Sequence, residues 1–154
     1  ILNNNLALAK MINPLWNGCL SSNQEEFLDY LQTTKKSHMS WSSQARGYFL
    51  DDYITNKIEE KITKDETWRQ PGEHSSGPLS CYESEDNRER KKRAMKLAEK
   101  KGCSAHNIAA SWTISQPFPS FALIGPRTID ELDTTLPCLN IELNQEEINW
   151  LNLI

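Results

Sequence analysis

Four cysteines, three histidines and one dense run of basic side chains are the residues of this 154-residue chain with the widest chemical repertoire. Cys19, Cys81, Cys103 and Cys138 lie far apart, with no CxxC pair and no histidine at ligand spacing, so no metal site is expected. A chain of this length with apolar segments of its own does not need disulfides, and the thiols read as reduced, in a cytoplasmic protein. His38, His74 and His106 stand alone and read as surface or loop histidines. The stretch RKKRAMKLAEKKGCSAHNIAASW has the helix, glycine turn and Ser-capped helix of a helix-turn-helix. Its second helix offers only His106 and Asn107 to read bases. The 21 acidic side chains outnumber the 17 basic ones, and a net charge of -4 gives no electrostatic case for nucleic acid or an anionic membrane as partner.

The elements that would position such residues follow from pattern and punctuation. With 38% hydrophobic residues the chain can fill one core, and no apolar run approaches the ~18–20 residues of a membrane span. The opening ILNNNLALAK reads as the end of a strand and a turn. Ser21 or Ser22 with Glu25 and Glu26 reads as a capped helix start, carrying Phe27, Leu28 and Leu31 through about Gln32. Residues 37–42 sit where the next strand belongs, although SHMSWS is polar. A long, variable loop is expected over about 50–83, with a short helix over 54–62. The stretch 83–101 reads as a charged helix with acids in its first turns, Lys100 and Lys101 in its last and Gly102 as its left-handed end. Ser104 caps a helix bearing Ile108, Ala109, Trp112 and Ile114, which stops near Pro117. Residues 121–124 read as a strand buried on both faces. Thr128 with Glu131, and Asn144 with Glu147, read as capping boxes; Pro137 would end the first of these helices. Helices alternating with short apolar strands make this an α/β chain with parallel strands.

The segment GCSAHNIAASWTISQPFPSFALIGPRTIDELDTTLPCLNIELNQEEINWLNL resembles the C-terminal end of the aldo/keto reductases, and SWSSQARGYF is similar to that family's strand-7 motif. NNNLALA is similar to the region after strand 6. The resemblance implies a partial (β/α)8 TIM barrel: the units around strands 6–8 plus the C-terminal helix, occupying 1–154. Such barrels need about 200 residues or more, so the chain reads as a C-terminal portion.

The resemblance also implies a site. In the family the strand-7 loop runs its backbone along the cofactor diphosphate; here that loop is Ser42, Ser43, Gln44, Ala45, Arg46 and Gly47. A small hydroxyl and a glycine let backbone N–H groups approach phosphate closely, and Arg46 adds charge. The adenosine 2′-phosphate of NADP(H) maps to Gly125, Arg127 and Thr128 at a helix start, with Glu131 near the adenine. Read without the resemblance, Arg127 and Thr128 are a helix cap with a solvated arginine, and WSSQARG is a turn. Asp51 and Asp52 depart from the family pattern by placing carboxylates beside the diphosphate, and Thr135 replaces an adenine-contacting Asn. The family's catalytic Asp, Tyr, Lys and His belong to the first half of the barrel, and no residue of this chain stands in their motifs.

The reading is therefore the C-terminal part of an NADP(H)-dependent, carbonyl-reducing oxidoreductase. It holds part of the cofactor site and lacks the catalytic half. Its partners would be a nicotinamide cofactor and, with the barrel completed, a small carbonyl substrate. The alternatives are a catalytically silent remnant or subunit, and the helix-turn-helix DNA-binding module.

Overall fold

Parallel strands need connections long enough to return the chain to the same end of the sheet, and helices supply them here. The structure, a computed structural model, describes residues 1–50 and 81–154. In these, β1 (Leu2–Asn5), β2 (His38–Trp41) and β3 (Ser120–Ala122) form a parallel sheet in that order. Helix α1 (Glu25–Thr34) connects the first pair; α2 (Glu85–Lys101) and α3 (Ala105–Ile114) precede β3. After the sheet come α4 (Ile129–Thr135), a 3-10 turn (Leu136–Asn140) and α5 (Gln145–Leu151). The expected helix over 54–62, most of the loop over 50–83, His74, Asp51 and Asp52 lie outside the described residues.

The register assigns the two faces of the sheet. Leu2, His38 and Ser120 lie abreast, as do Asn4, Ser40 and Ala122; on this face His38 and Ser40 are fully buried. The next row, Asn3, Met39 and Phe121, points the other way, and Phe121 is 55% exposed. The expected strand over 121–124 is thus shorter, begins at Ser120 and is not buried on both faces. It is an edge strand among the described residues. His38 is not a surface or loop histidine. It sits inside, because its ring nitrogens are satisfied by two hydroxyls: Ser22 Oγ at 3.0 Å from Nε2 and Ser40 Oγ at 2.9 Å from Nδ1.

The helices follow their end signals with two exceptions. Ser84 caps α2 by accepting from the Asn87 N–H, and Gly102 closes the helix at φ 66°. Ser104 with Asn107 and Asn144 with Glu147 form reciprocal capping boxes. Gln24, not Ser21 or Ser22, stands at the start of α1, and its side chain makes no cap bond. The two serines are drawn instead to Asn5 and His38. Thr128 accepts from the Glu131 N–H, but Glu131 returns its carboxylate to the Arg127 N–H, so this box is displaced by one residue. As expected of Pro137, α4 ends just before it, at Thr135, and Pro137 sits in the first turn of the 3-10 segment that follows from Leu136.

Leu6, Ala7, Leu8 and Ala9, directly after β1, are all buried and join Leu31, Tyr48, Phe49, Ile108, Trp112 and Leu151 in one core. On α2 the inward side carries Ala94, Leu97 and Ala98, and Met95 is half exposed. That helix also buries two polar residues, Asn87 and Arg90. All four cysteines are free thiols. Among the described residues no helix is long and apolar enough to cross a membrane.

Candidate functional site

In a parallel sheet every strand ends at the same edge, so the turns leaving β1, β2 and β3 are gathered there whatever their sequences. These turns begin at Asn5, Trp41 and Ala122. The segment from Ser42 to Gly47 leaves β2 with φ values of 49° at Ser42, 50° at Ala45, 56° at Arg46 and 90° at Gly47. Four positive φ values in six residues make a tight turn, a type of backbone in which free N–H groups can bind an anion. Two of the turn's N–H groups, those of Ala45 and Gly47, are spent within it, and the N–H of Tyr48, just after it, donates to the Ala45 carbonyl. Its buried members hold it in place. The Ser43 hydroxyl donates to the Leu123 carbonyl at 2.8 Å, and the Ser43 carbonyl accepts from Thr113 Oγ1 on α3. Ala45 is wholly buried, whereas Arg46 is exposed.

The bond from Ser43 to Leu123 ties this turn to the segment leaving β3, two residues before Gly125. Gly125, Arg127 and Thr128 are exposed there and Glu131 is half-buried. Arg127 is engaged with its own helix: its N–H donates to Glu131 Oε2 at 2.7 Å and its guanidinium to Oε1 at 2.8 Å. The guanidinium is therefore already paired with a carboxylate, in an exposed contact of a kind worth about 1 kcal/mol or less. Thr135 turns its hydroxyl to the Glu131 carbonyl, and its own carbonyl accepts from Asn107 Nδ2.

A polar hub absent from the sequence reading lies beside these turns. Asn5, fully buried, donates from Nδ2 to the Trp41 carbonyl and to Tyr82 Oη, accepts from Ser21 Oγ at Oδ1, and accepts from the Ser22 N–H at its carbonyl. Burial pushes the Tyr82 hydroxyl up to about 12; Asn5, Arg46 and Ser42 pull it back. Asn87, on α2, clasps both the N–H and carbonyl of Lys10 and accepts from Arg90 at 3.1 Å. Its amide also donates to the Tyr82 carbonyl. The one cue in the sequence was an Asn run closing a strand. Tyr82 and Asn87 sit in charged sequence with no pattern of their own. Trp41 stacks on Trp16 with ring centroids 5.6 Å apart. A cleft of about 380 Å³ opens beside them, between Lys10, Met11, Ile12, Cys19, Leu20 and Ser21, and none of the expected site residues lines it. Among the described residues no three His, Cys, Asp or Glu side chains converge to hold a metal.

A model of the aldo/keto reductase family matches residues 7–154. The versiconal hemiacetal acetate reductase of Aspergillus parasiticus is 26% identical over 128 residues, covering 83% of this chain and 35% of that protein. An uncharacterized oxidoreductase of Bacillus subtilis (strain 168), YrpG, is 32% identical over 56 residues, covering 36% of this chain and 17% of that one. In fold, the chain is similar to a thermostable aldo-keto reductase solved with the inhibitor epalrestat. The TM-score is 0.55 at 13% identity, covering 98% of this chain and 38% of the other. The chain thus spans about a third of the first relative's length and a smaller share of the second's.

Proposed function

Because the chain belongs to the aldo/keto reductase family, we propose that it forms the C-terminal part of an NADP(H)-dependent carbonyl reductase of the cytoplasm, contributing cofactor contacts and no catalytic acid. In this reading β1, β2 and β3 are strands 6, 7 and 8 of a barrel. The whole enzyme takes its Asp, Tyr, Lys and His from the other strands. The four free thiols suit a reducing compartment.

The observation that carries the reading is the meeting of two turns. The left-handed turn over 42–47 and the segment running to Thr128 leave neighbouring parallel strands at one edge, and the Ser43–Leu123 hydrogen bond joins them. A bound nicotinamide supplies the hydride. This chain's share is to bind and orient. The backbone of Ser42 to Gly47 cradles the diphosphate, with Arg46 adding charge. Gly125 leaves room, and Arg127, Thr128 and Glu131 face the adenosine end. To grip a 2′-phosphate, Arg127 exchanges the Glu131 carboxylate for phosphate oxygens, a replacement that an exposed, weak ion pair permits.

Fluorescence titration of the chain with NADPH and NADH tests the reading. Saturable binding is expected, with Arg127→Ala weakening NADPH about tenfold, the ~1.4 kcal/mol of one lost phosphate contact, and leaving NADH nearly unchanged. Absence of binding to either cofactor at millimolar concentration, or equal loss of both in the variant, overturns it.

A further inference from the structure

We propose that His38 and Ser22 form an acid-released latch: the neutral imidazole holds the loop leading into α1 against the sheet, and its protonation lets that loop go. The inference does not depend on the reductase reading. His38 is fully buried in the central strand, with Ser22 Oγ 3.0 Å from Nε2, Ser40 Oγ 2.9 Å from Nδ1, and the Phe118 ring edge-on at 6.2 Å. A neutral ring donates from one nitrogen and accepts at the other. Each hydroxyl can do either, so the chain of bonds closes in both tautomers.

A proton removes that balance, because the charge it brings has no counter-ion among the described residues. The residues abreast of His38 on β1 and β3, Leu2 and Ser120, carry no ionisable group, and neither do Asn4, Ala122 or the 117–119 turn. On α3 the sole titratable side chain is His106, held at the Thr134 carbonyl. Glu25, Glu26, Asp29 and Tyr30 of α1 are exposed. Lys35 and Lys36, just before the strand, are like charges, with Lys35 reaching to the Pro117 carbonyl. Burial alone holds the imidazole below its usual range.

What the latch holds is the mouth of β1. The Ser22 N–H donates to the Asn5 carbonyl at 2.7 Å, the Ser21 hydroxyl to Asn5 Oδ1 at 2.9 Å, and Asn23 clasps both the N–H and the carbonyl of Ala7. Releasing residues 21–23 therefore removes these bonds from Asn5 and Ala7, where the candidate site begins. The sign follows from linkage. With the loop released and the ring of His38 opened to water on its strand, the imidazole takes its ordinary value of about 6.5, and in the latched form a lower one, so above that pH the latch is fully stable. As pH falls below 6.5 the released form takes up the proton first. Each further unit multiplies its population about tenfold until the latched ring also protonates.

Amide hydrogen exchange of the full chain tests this. Between pH 6.5 and 5.5, after correction for intrinsic rates, opening at the Ser22 and Ala7 amides is expected to rise up to about fivefold, with little change in the middle of α3. His38→Gln, which cannot take the charge, is expected to abolish the rise. An unchanged opening population in the wild type, or the same rise in the variant, overturns the proposal. If the variant does not fold, NMR titration of the His38 ring in the wild type decides: titration at or above 6.5 in the folded chain overturns the latch, and titration below it with the exchange rise supports it.

Discussion

Asn87 illustrates how much a single neutral side chain organises here. It bonds the N–H and carbonyl of Lys10, the carbonyl of Tyr82 and the guanidinium of Arg90, all from one buried amide. Removing it strands several buried groups at once, each worth about 1–3 kcal/mol when left unpaired. Asn87→Ala is therefore expected to cost about 2–4 kcal/mol, a fall of roughly 5–15 °C in a thermal melt at this chain length. Tyr82 makes a second prediction at this scale. Its hydroxyl is raised to about 12 by burial, whereas in an unfolded chain it titrates near 10. The neutral form is the one the fold prefers. The stability tied to it is complete below pH 10 and is lost as pH rises toward 12. Ultraviolet titration is expected to show a tyrosine that does not ionise until the chain begins to unfold, and Tyr82→Phe to remove that late step.

The helices are the elements whose boundaries were most legible, because end signals are local. Ser104 and Asn144 each cap the helix that follows, and Gly102 ends α2 in the left-handed region with open space where a Cβ would stand, whereas the start of α2 at Glu85, capped by Ser84, lies two residues past the expected Glu83. Ser104→Ala is expected to cost about 1 kcal/mol by losing a cap. Gly102→Ala is expected to cost about 1 kcal/mol through backbone strain alone, because no atom blocks the added methyl. Each would lower the melting temperature by about 2–4 °C, and a double variant would show near-additive loss only if the two caps act independently. The start of α1 was not legible for the same reason in reverse. Ser21 and Ser22 have the right chemistry for a cap, but Asn5 and His38, 16 residues away on either side, compete for their hydroxyls and win. The strand over 38–41 was expected from its place in the order of elements, against its own polarity. Its buried His38 and Ser40 satisfy one another, which is why a polar strand can be central.

For the whole molecule, the decisive fact is that one face of the sheet is buried at His38 and Ser40, whereas the other is exposed at Asn3 and Phe121. Phe118 and Phe121, three residues apart, mark the two sides: one is 5% exposed, the other 55%. Phe118→Ala is expected to cost about 3–5 kcal/mol and Phe121→Ser less than about 0.5. The same serine is expected to reduce binding of an apolar dye such as ANS to the native chain, and unchanged dye fluorescence would show that the face is covered in solution. The sequence by itself determined the parallel α/β plan, most helix ends and the family, since these rest on short-range spacing of caps, glycines and apolar residues. It also marked the turns over 42–47 and 125–131. Only the tertiary structure decided how those residues are spent: Arg127 on Glu131, Ser43 on Leu123, His38 on two serines, and Asn5 and Asn87 as hubs. Hydrogen-bond partners far apart in the chain are chosen by packing, where a buried donor must find whichever acceptor the fold brings within about 3 Å.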